Sequence, residues 1–169
     1  MGRTADYSKE RCSVAATLEV VGDPWTLLIL RDAFRGVRRF DQWQEGLGVA
    51  RNVLAARLKT LVAHGVLEKR RYSEHPPRFE YRLTEKGKDL RPVLITLSDW
   101  GDRHVYGEKG PLHFLHEPCG CKLRPGLICI DCGESVEPRS LRMVENAESR
   151  TVGEALAEQD LLEAEAEAS

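Results

Sequence analysis

ARNVLAARLKTLVAHGVLEKRRYSEHPPRFEYRLTEKG, residues 50–87, changes its hydrophobic period midway, and that change decides the fold. In its first half Leu54, Leu58, Leu61 and Val62 recur at i, i+4, i+7 and i+8, the spacing of one buried helical face. A helix is therefore expected from about Ala50 to His64, with Gly65 as its stop. Its opposite face carries Asn52, Ala56, Lys59, Thr60 and Ala63. Small residues there let the helix approach a neighbouring surface closely, and the polar ones give it something to read. After Gly65 the period shortens. VLEKRRY (66–72) and RFEYRLT (78–84) are β-leaning runs separated by SEHPP, which cannot continue a strand. The second half is thus a hairpin with a Pro-rich tip.

Working outward, RRFDQWQEGLG (38–48) predicts a short helix with Phe40, Trp43 and Leu47 inward and a glycine turn after it. Asp23-Pro24 opens a preceding helix, because Asp caps well and Pro is preferred at the first helical position. Trp25, Leu28 and Ile29 form its core stripe, and Gly36 its stop. A short apolar helix begins at Ser13 and ends at Gly22. Downstream, Thr84 starts a long helix whose apolar positions 90, 93, 94, 97 and 100 suit packing on a second helix, with Pro92 early in it or marking a kink. The expected class is mainly α with a small β-hairpin (α+β): a winged helix-turn-helix over residues 1–107, a cysteine-rich, zinc-ribbon-like extension over 108–142, and an acidic helical or disordered tail over 143–169.

The net charge of −2 conceals an asymmetry. Residues 1–106 carry 19 Lys/Arg against 14 Asp/Glu, and residues 107–169 carry 6 against 13. Within 35–82 the balance is 11 against 5, a basic concentration suited to a polyanion or, equally, to a solvated face. The polar first ten residues do not resemble a secretory signal, and runs such as LLIL (27–30) are too short to span a bilayer, so a cytoplasmic protein without a membrane partner is expected. There is no G-x-S-x-G, P-loop or H-E-x-x-H pattern, and no catalytic residue is assigned.

Helix, helix, turn, helix, basic hairpin, long helix is a plan with a physical rationale. An α-helix fits the major groove of B-DNA, where all four base pairs present distinct edges. A hairpin beside it reaches phosphates or the minor groove through Arg or Lys. The hairpin here carries Lys69, Arg70, Arg71, His75, Arg78 and Arg82, while Arg38 and Arg39 stand at the start of the motif's first helix, where phosphate contacts would anchor docking.

The chain also resembles the HxlR family of bacterial regulators, relatives of the MarR group. The resemblance rests on Cys12, VVGDPWTLLIL (20–30), RRF (38–40), ARLKTLVAHGVLEKR (56–70), PPRFEYRLTEKG (76–87) and LSDWG (97–101), in order, over roughly residues 10–106. It implies a winged-helix homodimer that controls nearby genes, joined through the N-terminal helix and the long helix around 85–104. Together with the helix geometry it implicates Arg51, Asn52 and Lys59 in contacts to bases or flanking phosphates, and Arg71 and Arg78 in phosphate contacts. Each is equally an ordinary exposed polar residue. Arg57 lies on the flank, where it could pair with Glu68. The expected function is sequence-specific binding of double-stranded DNA by a repressor that answers to a small-molecule effector or a thiol-reactive signal. The alternative is a protein-interaction module that keeps the fold without reading DNA.

Two groups of cysteines remain. Cys12 precedes a helix start beside Arg11 and near Lys9, surroundings that favour thiolate. Some regulators that this chain resembles sense oxidants through a cysteine here, which makes Cys12 a redox-sensing candidate; the other reading is a small apolar residue in a dimer interface. Cys119, Cys121, Cys129 and Cys132 form C-x-C and C-x-x-C-G pairs, which can close a tetrahedral, structural Zn2+ site. His113 and His116 are alternative ligands, and reversible disulfides or free thiols are the other outcomes.

Overall fold

The computed structural model describes residues 6–167. Positions 1–5 and 168–169, the outer ends of the first and last expected segments, lie outside the described residues. The chain divides into two compact units: Met1–Asp89 with Ala147–Ser169, and Leu90–Asn146.

The first unit is helical with one antiparallel hairpin, the winged helix-turn-helix expected. Its elements are α1 (Ser13–Val21), α2 (Pro24–Phe34), α3 (Phe40–Leu47), α4 (Arg51–Ala63), β1 (Leu67–Ser73), β2 (Arg78–Leu83), α5 (Glu85–Lys88) and, from the C-terminal segment, α7 (Val152–Glu167). Asp23 starts α2, its Oδ1 accepting the Trp25 N–H at 2.9 Å, and Pro24 follows in the first turn. Gly48 and Gly65 end α3 and α4 in the left-handed conformation (φ 61° and 62°) that a side chain disfavours.

Leu54, Leu58 and Leu61 turn the inner face of α4 onto Ile29, Leu30 and Trp43, all of them buried. The indole Nε1 of Trp43 donates to the Ile29 carbonyl (3.2 Å), so this large ring is buried without an orphaned donor. In the hairpin Leu67 pairs with Leu83 and Lys69 with Tyr81, and a bulge falls between Arg71 and Ser73. Thr84 ties the base of the hairpin down: its hydroxyl donates to the Gly65 carbonyl (2.6 Å) and accepts the Gly87 N–H (3.1 Å).

The long helix expected from Thr84 is broken. α5 ends at Lys88, and α6 (Arg91–His104) begins after Asp89 and Leu90, with Pro92 in its first turn. Proline has no N–H to offer the carbonyl four residues back, which at Pro92 is that of Lys88, and its ring crowds that carbonyl.

The acidic C-terminal segment also finds a partner. Val152 N–H donates to Glu10 O (2.7 Å), Gly153 N–H to Ser8 O (2.9 Å), and Val152 is buried. α7 therefore begins against the start of α1, an anchor that composition alone does not reveal.

The second unit comprises α6, a hairpin of β3 (Leu115–His116) and β4 (Cys121–Lys122), and a second small hairpin marked by the Ile128–Ser135 bridge. Buried Asp102, near the end of α6, holds it together. Its carboxylate faces His113 Nδ1 (3.5 Å) and Lys122 Nζ (3.8 Å), and its carbonyl accepts the Glu108 N–H (2.8 Å). Among the described residues no single helix is long and apolar enough to cross a membrane.

Candidate nucleic-acid interface

The outward face of α4 is open along its length. Arg51, Asn52, Ala55, Ala56, Lys59 and Ala63 are exposed, while Leu54, Leu58 and Leu61 hold the opposite side. Three alanines keep this face low, so the helix can approach another surface closely, and the cation-bearing and amide side chains project beyond them.

Asp23 fixes how α4 stands on α2. While one carboxylate oxygen caps α2, the other pairs with Arg57 Nη2 at 2.8 Å. Arg57 is thus committed to the scaffold through Asp23, and the Glu68 pairing considered for it does not form; Glu68 pairs with Arg70 (2.7 Å).

Arg38 and Arg39 lie exposed at the start of α3, where Gln42 Oε1 accepts the N–H groups of both (3.4 and 3.1 Å). The Tyr81 N–H donates to Arg38 O at 2.8 Å, stitching strand β2 of the wing to this corner. Burial pushes the Tyr81 hydroxyl pKa upward, and its ring meets Trp43 edge-on at 6.1 Å.

Several cations rest on aromatic faces. The Arg39 guanidinium lies 4.9 Å from the Tyr72 ring, Arg51 4.9 Å from Phe40, Lys69 4.2 Å and Arg71 5.7 Å from Phe79. Such stacking limits the freedom of long side chains while leaving their N–H groups to solvent. Phe40, Tyr72 and Phe79 were not singled out from sequence as supports. No local pattern announces them: each ring carries a cation distant from it in sequence rather than the arginine that precedes it.

Arg71 also pairs with exposed Glu74 (2.8 Å), and Arg82 with Glu80 (2.7 Å). The Arg71–Glu74 pair is exposed, and such pairs contribute only about 0–1 kcal/mol, whereas Glu80 is largely buried. Among the described residues Arg38, Asn52, Lys59 and Arg78 have side chains without an ion-pair or hydrogen-bond partner.

Cys12 is exposed and occupies the position before α1, where its carbonyl accepts the Ala16 N–H (2.9 Å). Neighbouring Arg11 reaches Ser149 Oγ (3.1 Å) and Ala147 O (3.0 Å). In the second unit Cys119 lies beside His116, whose Nδ1 is 3.3 Å from its sulfur, while the Cys121 thiol faces the Cys119 carbonyl (3.7 Å). Hydrogen bonds from the backbone of Cys132 and Asp131, then from the Cys132 side chain, hold the Cys129 thiol below its ordinary pKa.

A family profile described as HxlR-like helix-turn-helix matches residues 20–109. The HTH-type transcriptional regulator Rv3095 of Mycobacterium tuberculosis is 46% identical over 130 residues, 76% of this chain and 82% of that one. The regulator sll1512 of Synechocystis is 33% identical over 120 residues, 68% of this chain and 79% of its own. Among solved structures, PA1607, a candidate transcription factor, superposes with a TM-score of 0.72 at 35% identity, over 83% of this chain and 99% of that one. The redox regulator HypR in its reduced form gives a TM-score of 0.52 at 29% identity, over 57% of this chain and 99% of its own.

Proposed function

On its membership of the HxlR-like helix-turn-helix family, to which this chain belongs, we propose that the protein is a regulator that reads double-stranded DNA by sequence, as a homodimer in the cytoplasm. The observation that carries this reading is the open face of α4, with Arg51, Asn52 and Lys59 above a floor of alanines, beside a basic wing stitched to α3.

Asn52 suits an adenine and Arg51 a guanine, each by two parallel hydrogen bonds in the major groove. Arg38 and Arg39 at the start of α3, with Arg71 and Arg78 on the wing, would take the phosphate backbone, which sets register and orientation. Lys59, further along α4, serves a base or a flanking phosphate.

A dimer supports simple repression. Two α4 helices on half-sites about one helical turn apart would cover a promoter and exclude polymerase. Two exposed apolar sets favour a second copy as their partner: Val14 and Leu18 on α1, and Val93, Leu97 and Trp100 on α6. The latter three follow i, i+4, i+7, the stripe of a helix that packs on another. Release would follow when an effector, or modification of exposed Cys12 at the head of α1, changes the spacing of the two reading helices. HypR, a redox regulator of similar fold, lends support to the thiol route.

The test is a gel shift on the DNA upstream of the protein's own gene, with nonspecific competitor, at several salt concentrations. Retention that survives competitor and is lost on combining Arg51→Ala with Asn52→Ala is the expected result. Equal binding to any duplex, insensitive to these substitutions, would contradict sequence reading by α4.

A further inference from the structure

The second unit contains one small structure twice. His116-Glu117-Pro118-Cys119-Gly120 and Cys129-Ile130-Asp131-Cys132-Gly133 share the pattern ligand, two residues, cysteine, glycine. In each, the glycine N–H donates to the carbonyl of the first ligand residue at 2.8 Å. In each, that glycine is left-handed, φ 67° at Gly120 and 75° at Gly133. Each turn closes a small antiparallel hairpin: His116 pairs with Cys121, and the Cys129 N–H donates to Glu134 O at 2.9 Å. The turn brings its two donor side chains together, His116 Nδ1 to within 3.3 Å of the Cys119 sulfur.

From this internal repeat we infer that the second unit is a structural zinc site whose ligands are His116, Cys119, Cys129 and Cys132, not the four cysteines. Cys121 falls outside the repeat. Its counterpart in the second copy is Glu134, also directly after the glycine, and its thiol faces a backbone carbonyl. His113, the other imidazole nearby, is engaged by Asp102. Three thiolates and one imidazole make a closed tetrahedral set of the kind that serves structure, with no position left for a substrate. Among the described residues no three His, Cys, Asp or Glu side chains stand around one point. Binding at the proposed site would have to draw the two hairpins together on the ion, which would add its binding free energy to the folding of this segment. The inference is independent of DNA reading by the first unit.

The full-length chain, reduced and then titrated with Zn2+ and separately with Co2+, tests it. One metal ion per chain is expected, and the Co2+ form should show the intense visible bands of a tetrahedral site with sulfur charge-transfer. Cys121→Ser should leave stoichiometry and spectrum unchanged. His116→Ala and Cys132→Ser should each weaken binding by more than about 100-fold, beyond the 10–100-fold typical of losing a mere supporting group. His116→Cys should keep the metal and strengthen the charge-transfer band. No metal uptake by the reduced wild-type chain would overturn the inference, as would loss of metal in Cys121→Ser with retention in His116→Ala.

Discussion

Asp23 does two things with one carboxylate, capping α2 through Trp25 N–H and holding Arg57 of α4. Arg57 Nε is already buried without a hydrogen-bond partner among the described residues, so removing Asp23 would leave the guanidinium poorly compensated. Asp23→Ala is expected to cost about 1–3 kcal/mol, a lost cap plus a stranded donor. Asp23→Asn keeps the capping oxygen and should cost less; urea unfolding of the two variants makes the comparison. Gly87 is constrained by space: a β-carbon there would lie 2.1 Å from the Val66 carbonyl oxygen. Gly87→Ala should therefore lower stability by about 1–3 kcal/mol, read as a lower melting temperature, and a neutral result would mean that α5 sits further from the hairpin base. Asp23 as a cap was legible in GDPW, because capping is local. Its pairing with Arg57, 34 positions along the chain, was not, because only the packing of α4 on α2 creates it.

At the scale of elements, the reading of α3, α4 and the wing came from two periods and the glycines between them, and these are strong local signals. Leu54, Leu58 and Leu61 are buried and Asn52, Ala56, Lys59 and Ala63 exposed, as their spacing requires. Two elements behaved otherwise. Pro92 separates α5 from α6, where periodicity alone suggested continuity. The acidic segment, expected as a helical or disordered tail, seats Val152 against the chain near Glu10 through backbone hydrogen bonds that no composition predicts. In the wing Lys69 and Arg71 rest on Phe79, while Tyr72 carries Arg39 from the start of α3. Replacing Phe79 with Ala should leave the hairpin paired but weaken DNA binding severalfold, by freeing Lys69 and Arg71; unchanged affinity would mean that stacking does not position these cations.

For the whole molecule, the proposed function couples assembly to control. Val93, Leu97 and Trp100 are each about half exposed on α6, a loss of apolar burial that a second copy would recover. Trp100→Glu combined with Leu97→Glu should convert a dimer to a monomer in sedimentation and reduce DNA affinity in parallel; a wild-type chain that sediments as a monomer would contradict dimerisation through α6. If Cys12 is the signal-receiving group, a thiol-selective oxidant should lower DNA affinity in the wild type and not in Cys12→Ser. An equal response in both would direct attention to the four cysteines of the second unit.

If α4 reads bases while the wing holds phosphates, paired affinity measurements separate the two roles. Wild type, Asn52→Ala and Arg78→Ala would be titrated against the selected operator and a scrambled duplex at several salt concentrations. Asn52→Ala should lose about 1–3 kcal/mol on the operator and little on the scrambled duplex. Arg78→Ala should weaken both duplexes alike and reduce the salt dependence by about one released counterion. If both folded variants bound both duplexes as the wild type does, the interface assigned here would be wrong.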